Sequence, residues 1–511
     1  MKLSQDLVLA IAVLGTVSHV SWAQILRRNP MCCADGNHIK AELGPLLSKG
    51  ASVSLSSSPE WEDLVERATS PRVEPSFVAS IEAATEEDVQ MTSSTRYIQV
   101  KYANEHGIPF LAVTGTHGWP TTLNELNCGI QINMRRMNST QLHGGADTAT
   151  IGGGTRQYEA VRALYEQGRK AAVTGLCECV SVIGPLLGGG HSMLQGRHGF
   201  AADNLVSARV VLADGSAITV SETQHADLFW AIRGAGHNFG VVTSFEVEVH
   251  DVAPKWTMVA LAFTHDRLED FFRTWNRLEA EYEDPALVLN GIFVRVPDLD
   301  PGHLFYDGEN SVADAYAAAF RALGPAADSV VTDIEYKDLY VAGGFSKDGP
   351  VCRKNENILG YPVSLDGWNA TAMRAGFEIY AELTADPRFA TSIWLLESYG
   401  RGKAREIPPD TNAVAPEERA LHVLISPIMW WQGADPADAE KAYAYGERMQ
   451  EAVRRGSSGP SHSYVNYATG EESLPEVYGR DRARIRRLLE LKAVYDPENR
   501  FGYYAPLSRR T

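Results

Sequence analysis

Two glycine-rich segments stand out in the first half of this 511-residue chain. Residues 114–118 follow an apolar run at 108–113 that predicts a buried strand, and Gly188-Gly189-Gly190 lies further along. Glycine has no Cβ, so such segments let the backbone come within hydrogen-bonding distance of a bulky ligand. Each segment has a nucleophile in or near it, His117 and Cys177. An ordinary tight turn is the commoner use of such glycines, but the combination predicts a large anionic cofactor that may be bonded to the protein.

Length and charge narrow the class of protein. A chain of 511 residues exceeds one ordinary core, so two domains are expected. A formal charge of −17 would repel nucleic acid and anionic membranes. Beyond the first residues, no apolar segment reaches the length that spans a bilayer. We therefore expect a soluble, acidic, monomeric enzyme that acts on a small molecule, with neither a nucleic acid nor a membrane as partner.

The N-terminus predicts export. Residues 7–20 are apolar but too short to span a bilayer comfortably, and Ala23 fits a cleavage site, so residues 1–23 are interpreted as a signal peptide. Glycosylation sequons at Asn138 and Asn369 agree with a protein of the secretory pathway. An exported chain could pair some of its six cysteines, but their spacing leaves the connectivity open.

The order of the predicted elements indicates an α+β protein. Strands mix with hairpins and helices and do not alternate as in a Rossmann fold. Thr85 and Asp88 form a predicted capping box at the start of a helix. Strands are expected at 77–81, 108–113, 129–134, 149–151, 208–212, 217–220, 241–249, 391–396 and 421–425, and helices at 158–168, 227–233, 268–282, 313–323, 436–454 and 481–494. The change in pattern after residue 252 predicts an inserted second domain over residues 256–455.

Several familiar motifs do not account for the glycines. Residues 234–240 approach the dinucleotide fingerprint G-x-G-x-x-G, but they are one residue too long and precede a predicted strand. The sequence has neither a G-x-x-x-x-G-K-[ST] phosphate loop nor a G-x-S-x-G elbow. Cys177, Cys179, His191 and His198 have an unusual spacing for zinc, so no metal is expected.

An ordered series of motifs points to a flavoprotein instead. The series is Val113-Thr-Gly-Thr-His-Gly118, Cys177-x-x-Val180-x-x-x-Gly184 with Gly188-Gly189-Gly190, Gly199-x-x-x-Asp203-Asn204, and Asp227-Leu-Phe-Trp-Ala-Ile-Arg-Gly-Ala-Gly236 with Asn238-Phe-Gly240. It resembles the flavin-binding domain of the vanillyl-alcohol oxidase/p-cresol methylhydroxylase family. Tyr464-Val-Asn-Tyr467 and Tyr495-Asp-Pro-Glu-Asn499 resemble the tail of berberine-bridge enzymes. The resemblance covers roughly residues 60–252 and 459–507, and its loops are most similar to those of exported fungal flavin oxidases of secondary metabolism.

The resemblance implies a specific architecture. Residues 60–255 would form a two-subdomain FAD-binding domain of the p-cresol methylhydroxylase type. Residues 256–455 would be a substrate domain, an antiparallel sheet covered by helices. Residues 456–511 would be a berberine-bridge-enzyme-like segment that returns to the FAD domain. FAD would lie between the two subdomains, with its isoalloxazine ring facing the substrate domain.

The resemblance also assigns cofactor residues. His117 falls where the family's histidine bonds to the flavin 8α-methyl group, and we expect that bond. Cys177 falls where some members add a second bond at C6. That second bond stays open, because a small buried cysteine is a common alternative. The remaining implied FAD contacts are Gly115, Thr116, Gly118, Gly184, Gly188, Gly189, Gly190, Asp203, Asn204, Val242 and Asn466.

Members of this family transfer a hydride to flavin N5, and a base often removes a proton from the substrate. Tyr464, Glu397 and His422 are the candidate bases. Each also has a purely structural explanation. Tyr464 could be a packing residue, Glu397 a solvent-exposed residue at a strand end, and His422 a hydrogen-bonded residue of the core. The resemblance implies an FAD oxidase of a small organic molecule, with O2 as acceptor and peroxide as product. A dehydrogenase with another acceptor and a flavoprotein cyclase are the alternatives.

Overall fold

The computed structural model describes residues 34–509 except 69–71, 91–98, 253–254, 296–299, 307, 309, 422 and 460. The predicted signal peptide and His422 therefore lie outside the described residues. Within the part that is described, three main sheets carry most of the fold, and their mixture with helices confirms the α+β class. No helix in this part combines the length and the apolar content needed to cross a bilayer.

The first sheet lies at the start of the described chain. Its strands and helices are β1 (Ser52–Ser54), β2 (Phe77–Glu82), β3 (Phe110–Val113), β4 (Gly129–Asn133), α1 (Gly36–Leu43), α2 (Trp61–Val65), α3 (Glu86–Val89) and α4 (Gln99–Glu105). The strand order is β1-β2-β4-β3, with β2, β4 and β3 parallel and β1 antiparallel to β2. The predicted capping box is present, because Thr85 Oγ1 accepts from the Asp88 amide and the Asp88 carboxylate accepts from the Thr85 amide. β3 ends at Val113 and delivers residues 114–118 to the candidate site.

The second sheet is antiparallel. Its elements, with a small strand pair beside it, are β5 (Thr140–Leu142), β6 (Thr148–Gly152), β7 (Lys170–Ala171), β8 (Leu205–Val211), β9 (Ala217–Ser221), β10 (Val241–Glu248), β11 (His250–Asp251), α5 (Gln157–Gly168), α6 (Ile183–Leu187), α7 (Gln195–His198) and α8 (Ala226–Ala235). The main order is β5-β6-β10-β8-β9, and β7 pairs with β11. Alternating residues of β10, such as Phe245 and Val247, join one apolar core with α5 and α8.

The third sheet begins at Trp256 and is also antiparallel. Its elements are β12 (Trp256–Phe263), β13 (Leu287–Val294), β14 (Asp300–Tyr306), β15 (Ala327–Ile334), β16 (Asn357–Gly360), β17 (Val363–Leu365), β18 (Ile393–Ser398), β19 (Val423–Trp431), α9 (Leu268–Glu281), α10 (Asn310–Arg321), α11 (Leu339–Ala342), α12 (Ala370–Thr384), α13 (Gly402–Glu406), α14 (Pro416–Ala420) and α15 (Pro436–Arg454). The order is β15-β12-β14-β13-β18-β19-β16, and β17 also pairs with β19.

One face of the third sheet packs against its helices. Trp394 and Leu396 of β18 point into this core, where Phe272 and Trp275 of α9 and Met373 of α12 meet them. Successive residues of a strand point to opposite faces. Ile393, Leu395 and Glu397 therefore point to the other face, away from the helices. That face is turned toward the first two sheets.

The tail returns to the first two sheets. It carries α16 (Leu474–Tyr478) and α17 (Arg482–Tyr495), and α17 begins after Asp481, whose carboxylate accepts from the Ala483 amide. Tyr478 accepts from the Asn238 side chain at 3.0 Å, and Lys492 donates to the Asn238 carbonyl at 2.7 Å. These contacts bring the segment before α16, residues 464–467, against the candidate site.

Candidate active site

A cavity of about 1040 Å³ lies where the sheets and the tail meet. Cofactor and ligand pockets commonly measure about 300–1,000 Å³, so this cavity has room for a large ligand. Its lining comes from residues 114–118, 175–177 and 180–181, the start of β10, the free face of the third sheet, and tail residues around 464–467 and 500–504.

His117 lines the cavity as a neutral imidazole. Its Nε2 lies 2.9 Å from the Val351 carbonyl, an acceptor only, so Nε2 carries the proton and Nδ1 keeps its lone pair. Burial lowers the pKa of His117, and the nearby Arg67 cation adds to that lowering. A neutral ring with a free nitrogen is the form in which histidine acts as a nucleophile.

Three cysteines lie beside this histidine. Cys179 and Cys352 form a disulfide, whereas Cys177 is a free thiol 3.5 Å from Cys352 Sγ. Ligand atoms of His117, Cys177 and Cys179 lie within 4.8 Å of one another. Because Cys179 is already bonded, this trio does not supply three metal ligands. Burial raises the pKa of the Cys177 thiol to about 12, so the thiol is protonated at neutral pH.

The loop glycines that line the cavity allow close approaches. A Cβ on Gly115 would lie 2.8 Å from the Ser181 amide nitrogen, and one on Gly118 would lie 2.6 Å from the Tyr504 ring. Between them, Thr116 adopts a left-handed φ of 51°. Gly184 also lines the cavity, with its amide donating to Ser181 Oγ at 3.1 Å. Glycine backbone thus forms part of one cavity wall, next to the side chains of Thr116 and His117.

The triple glycine packs against the tail. Gly188, Gly189 and Gly190 are not among the residues that line the cavity. The amides of Gly188 and Gly189 donate to the Pro185 and Leu186 carbonyls, so the protein itself uses them. A Cβ on Gly188 would lie 2.3 Å from Asn466 Oδ1, and Gly190 has a φ of +83°. These glycines let the tail pack closely behind the cavity wall.

Asp203 and Asn204 also lie away from the cavity lining. Asp203 forms a buried ion pair with Arg419 at 2.6 Å and accepts from the Phe200 amide at 2.8 Å. Asn204 donates to the His198 and Phe200 carbonyls. Both residues therefore stabilise the loop 198–204, and neither is among the residues that line the cavity.

Asn466 and Val242 line the cavity. The Asn466 amide donates to the Pro185 carbonyl at 2.9 Å and to Tyr464 Oη at 2.6 Å, which links the tail to the loop before the triple glycine. Val242 lies at the start of β10 and is nearly buried. Each is placed where a bound cofactor could contact it.

A carboxylate and two tyrosines form a hydrogen-bonded group at the end of β18. Tyr467 donates to Glu397 Oε2 at 3.1 Å, and Tyr399 donates to Glu397 Oε1. Glu397 is only 1% exposed, so it is not a solvent-facing residue at a strand end. Burial raises the pKa of Glu397. Burial, followed by the neighbouring Glu397 charge, raises the pKa of Tyr467 well above its usual range.

Tyr464 lines the same cavity but has different partners. Its hydroxyl accepts from the Asn466 side chain and, at 3.3 Å, from the His191 amide. Burial raises its pKa as well. Tyr464 has no hydrogen bond to a carboxylate among the described contacts. Sequence analysis selects Tyr464 from the motif Tyr464-Val-Asn-Tyr467, and the structure brings the other tyrosine of that motif, Tyr467, to Glu397.

A second buried hydrogen-bonded group consists of Glu418, His191 and His462. Glu418 accepts from His191 Nε2 at 2.7 Å and from His462 Nε2 at 2.6 Å. Burial alone would raise the pKa of Glu418, but His462 and His191 outweigh it and lower the pKa to about 2. His191 lines the cavity and stacks on Tyr399 with a centroid distance of 5.2 Å. Nothing in the spacing of these three residues along the sequence indicates this group.

The residues present fit an FAD molecule. The cavity is large, glycines form part of one wall, and His117 offers a neutral nucleophile in that wall. His237 Nδ1 is buried on the lining without a hydrogen-bond partner, and burial lowers the pKa of His237 to about 4. A neutral buried acceptor of this kind suits a ligand that carries hydroxyl groups. His117, Cys177, Gly115, Gly118, Gly184, Val242 and Asn466 are the residues placed to hold it.

Comparison with known proteins agrees with an FAD site in this chain. A model of the FAD binding domain family matches residues 80–221. The FAD-linked oxidoreductase OXR2 of Pyricularia oryzae is 34% identical over 488 residues, which cover 92% of this chain and 91% of the relative.

Solved structures share the fold. The xylooligosaccharide oxidase from Myceliophthora thermophila aligns with a TM-score of 0.78 at 23% identity, covering 93% of this chain and 99% of that one. A glucooligosaccharide oxidase from Acremonium strictum, which carries a 6-S-cysteinyl, 8α-N1-histidyl FAD, aligns with a TM-score of 0.77 at 20% identity. That alignment covers 93% of this chain and 99% of the oxidase.

Proposed function

This chain belongs to the FAD-linked oxidoreductases of fungi within the vanillyl-alcohol oxidase family, and on that premise we propose that it is an oxidase of a small organic molecule. FAD bound in this cavity would supply the hydride acceptor for the substrate carbon, and O2 with a proton would take up the electron pair as hydrogen peroxide. The observation that carries the proposal is the hydrogen-bonded pair of Tyr467 and Glu397 in the same cavity as His117. A role in secondary metabolism is part of the proposal and is supported by the resemblance of the loops.

The Tyr467–Glu397 pair provides a path for the substrate proton. As the substrate C–H bond gives up its hydride, the O–H or N–H proton passes to Tyr467 Oη and the Tyr467 proton passes to Glu397. The raised pKa of Glu397 suits it to accept a proton near neutral pH. The raised pKa of Tyr467 disfavours a free tyrosinate, so the tyrosine relays the proton and the carboxylate holds it. Tyr399 fixes the carboxylate through its other oxygen.

We also propose that His117 Nδ1 bonds covalently to the flavin 8α-methyl carbon; this bond would replace a C–H bond, with the proton lost to solvent and the two electrons taken up by O2 through the flavin. The bond from Nε2 to the Val351 carbonyl leaves Nδ1 as the free nitrogen. Cys177 lies close enough to His117 to offer the second bond, as in the glucooligosaccharide oxidase. The protonated state of the thiol opposes that bond, because the thiolate is the nucleophile. His117 is therefore the proposed attachment residue. The mass spectrometry described next tests whether Cys177 forms a second bond.

The decisive experiment combines flavin retention with peroxide production. Wild-type protein precipitated with acid should keep its yellow colour, and His117→Ala should release flavin into the supernatant. Peptide mass spectrometry of Cys177→Ala, compared with wild type, shows whether the flavin joins one peptide or two. Air-dependent peroxide release by the wild type supports an oxidase. Turnover only with an artificial electron acceptor would replace the oxidase proposal with a dehydrogenase.

Export of the protein remains a proposal that rests on separate features. The Cys179–Cys352 disulfide is typical of oxidising compartments, and Cys128 is disulfide-bonded as well. Both sequon residues, Asn138 and Asn369, have exposed side chains. The full-length chain should appear in the medium of a eukaryotic expression host, and glycosidase treatment should increase its gel mobility. An unchanged mobility would remove the glycosylation part of this proposal.

A further inference from the structure

Six apolar side chains form a continuous surface on the free face of the third sheet. We propose that this surface, called the apolar wall below, binds a hydrophobic substrate and makes the enzyme select an apolar alcohol or amine over a carbohydrate. The proposal rests on the function proposed above and adds the substrate class. The wall consists of Ile292, Val294, Ile393, Leu395, Ile428 and Trp430, all of which line the cavity.

The wall follows from strand register. Val294 and Ile393 are cross-strand partners, as are Ile393 and Ile428, so these residues form one row across β13, β18 and β19. Ile292 and Leu395 form the next row, on the side of Glu397, and the third residue of that row, Ser426 of β19, is buried and does not line the cavity. Neighbouring rows of one face are two residues apart along each strand. The six side chains therefore lie side by side as one patch.

Exposure confirms which way these residues face. Ile292, Val294, Ile393 and Leu395 are half-buried. Their neighbours along the strands have buried side chains in the helix-covered core: Phe293 of β13, and Trp394 and Leu396 of β18. The accessible surface of the wall is therefore cavity surface. Its chemistry is hydrocarbon and indole.

The wall begins beside the proposed proton acceptor. Leu395 and Ile393 are two and four residues from Glu397 on the same strand and the same face. At about 3.3 Å per residue, the wall extends from about 7 Å to about 13 Å from Glu397. A substrate whose reacting group meets Tyr467 and Glu397 would lay the rest of its body along the wall. Beyond the wall, the lining turns polar and exposed at Thr391, Arg388 and Gln432.

The cavity lining next to the wall is apolar as well. Trp119, Leu123 and Tyr503 also line the cavity, and they belong to the same apolar cluster as Ile428 and Trp430. A sugar ring in this space would lose water from its hydroxyls and find few partners. Each buried hydroxyl without a partner weakens binding roughly tenfold or more. The structural neighbours named above act on oligosaccharides, so this wall predicts a different specificity within the same fold.

The test uses the flavin-loaded full-length enzyme and two substrate series. One series is primary alcohols of increasing chain length, and the other is xylose, xylobiose and xylotriose. If the wall binds substrate, each added methylene should raise kcat/KM for peroxide release by about fourfold until the wall is covered. Adding a sugar ring should bring no gain. A flat response to chain length with a gain from added sugar rings would overturn the inference and leave the oxidase proposal standing.

Binding without turnover separates the two proposals. Perturbation of the flavin absorbance by the same alcohols, under anaerobic conditions, reports affinity even if no peroxide forms. Affinity that rises with chain length supports the wall even where the oxidase proposal has failed, and affinity independent of chain length overturns it. Leu395→Gln should flatten the dependence on chain length. Leu489→Gln, at an exposed position on α17, is the matched control and should leave the dependence unchanged.

Discussion

At the scale of single residues, hydrogen-bond partners separate two tyrosines that share one short motif. Tyr467 meets the carboxylate of Glu397, whereas Tyr464 accepts hydrogen bonds from the His191 amide and the Asn466 side chain. Only Tyr467 can pass a proton taken from the substrate to a hydrogen-bonded carboxylate, Glu397. A tyrosine alone in an apolar cavity has its pKa raised by burial and is a poor base.

Substitutions at these tyrosines should differ sharply in effect. We expect Tyr467→Phe and Glu397→Gln each to slow flavin reduction by about 10²- to 10⁴-fold, because each interrupts the proton path. Tyr464→Phe is the control and should slow it much less. Anaerobic mixing with substrate and stopped-flow recording of flavin bleaching measures the rate. Equal losses in the two tyrosine variants would contradict the assignment.

The raised pKa of Glu397 also predicts a pH dependence. The acceptor must be ionised, so the rate should fall on the acid side at a pH above the ordinary glutamate value of about 4.3, and Glu397→Gln should lack this limb. Because the folded pKa is raised, the carboxyl favours folding at low pH and loses that contribution as pH rises through the folded value. Glu397→Gln should therefore melt above wild type at pH 7 and level with it near pH 4. Melting curves across this range check the sign.

At the scale of elements, the third sheet carries two functions on its two faces. β18 sends Trp394 and Leu396 into the core beneath α12, and it sends Ile393, Leu395 and Glu397 into the cavity. The position of the cavity face depends on how closely α12 approaches from behind. Gly376 of α12 allows that approach, since a Cβ there would lie 2.3 Å from the Trp394 ring.

Filling this helix contact should destabilise the protein. Gly376→Ala is expected to lower the free energy of unfolding by about 1–3 kcal/mol, because the methyl group must displace Trp394 or the helix. Gly44→Ala is the matched control, since it is exposed and no heavy atom lies within 4 Å of the added Cβ. That change should stay within about 0.5 kcal/mol of wild type. Urea midpoints measure the stability of both variants. An unchanged midpoint for Gly376→Ala would mean that α12 can shift to accept the methyl group without loss of stability.

At the scale of the whole molecule, the site exists only where separate parts of the chain meet. The Cys179–Cys352 disulfide joins residues 173 positions apart and links the loop after α5 to the segment before β16. Val351, the residue before Cys352, is the one whose carbonyl accepts the hydrogen bond from His117. The same crosslink therefore stabilises the fold and positions the nucleophile.

Removing this crosslink should affect both properties. We expect the Cys179→Ser/Cys352→Ser double variant to lose about 2–5 kcal/mol of unfolding free energy, the usual range for a native disulfide. It should also carry less covalently bound flavin, because Val351 is no longer held against His117. Cys177→Ala, which leaves the disulfide intact, should change the free energy much less. Denaturant titration and flavin absorbance of the unfolded protein measure the two effects.

The sequence by itself determined the elements and the cofactor. Hydrophobic periodicity located β2, β6 and α15 to within a few residues, and the cap at Thr85 forms as its side chain predicts. These features depend on near neighbours in the chain. The ordered glycine and histidine motifs indicated FAD through their resemblance to the vanillyl-alcohol oxidase/p-cresol methylhydroxylase family. β19, by contrast, continues to Trp431 beyond the predicted 421–425, since pairing with β16 and β18 extends it.

Only the tertiary structure decided which of these residues meet. The Tyr467–Glu397 bond joins residues 70 apart, and the His117–Val351 bond joins residues 234 apart. The choice of free cysteine, the packing role of Gly188-Gly189-Gly190 and the apolar wall likewise depend on contacts between distant strands and loops. Local propensity carries no information about such contacts, because they form only when burial of the separate cores brings the sheets and the tail together.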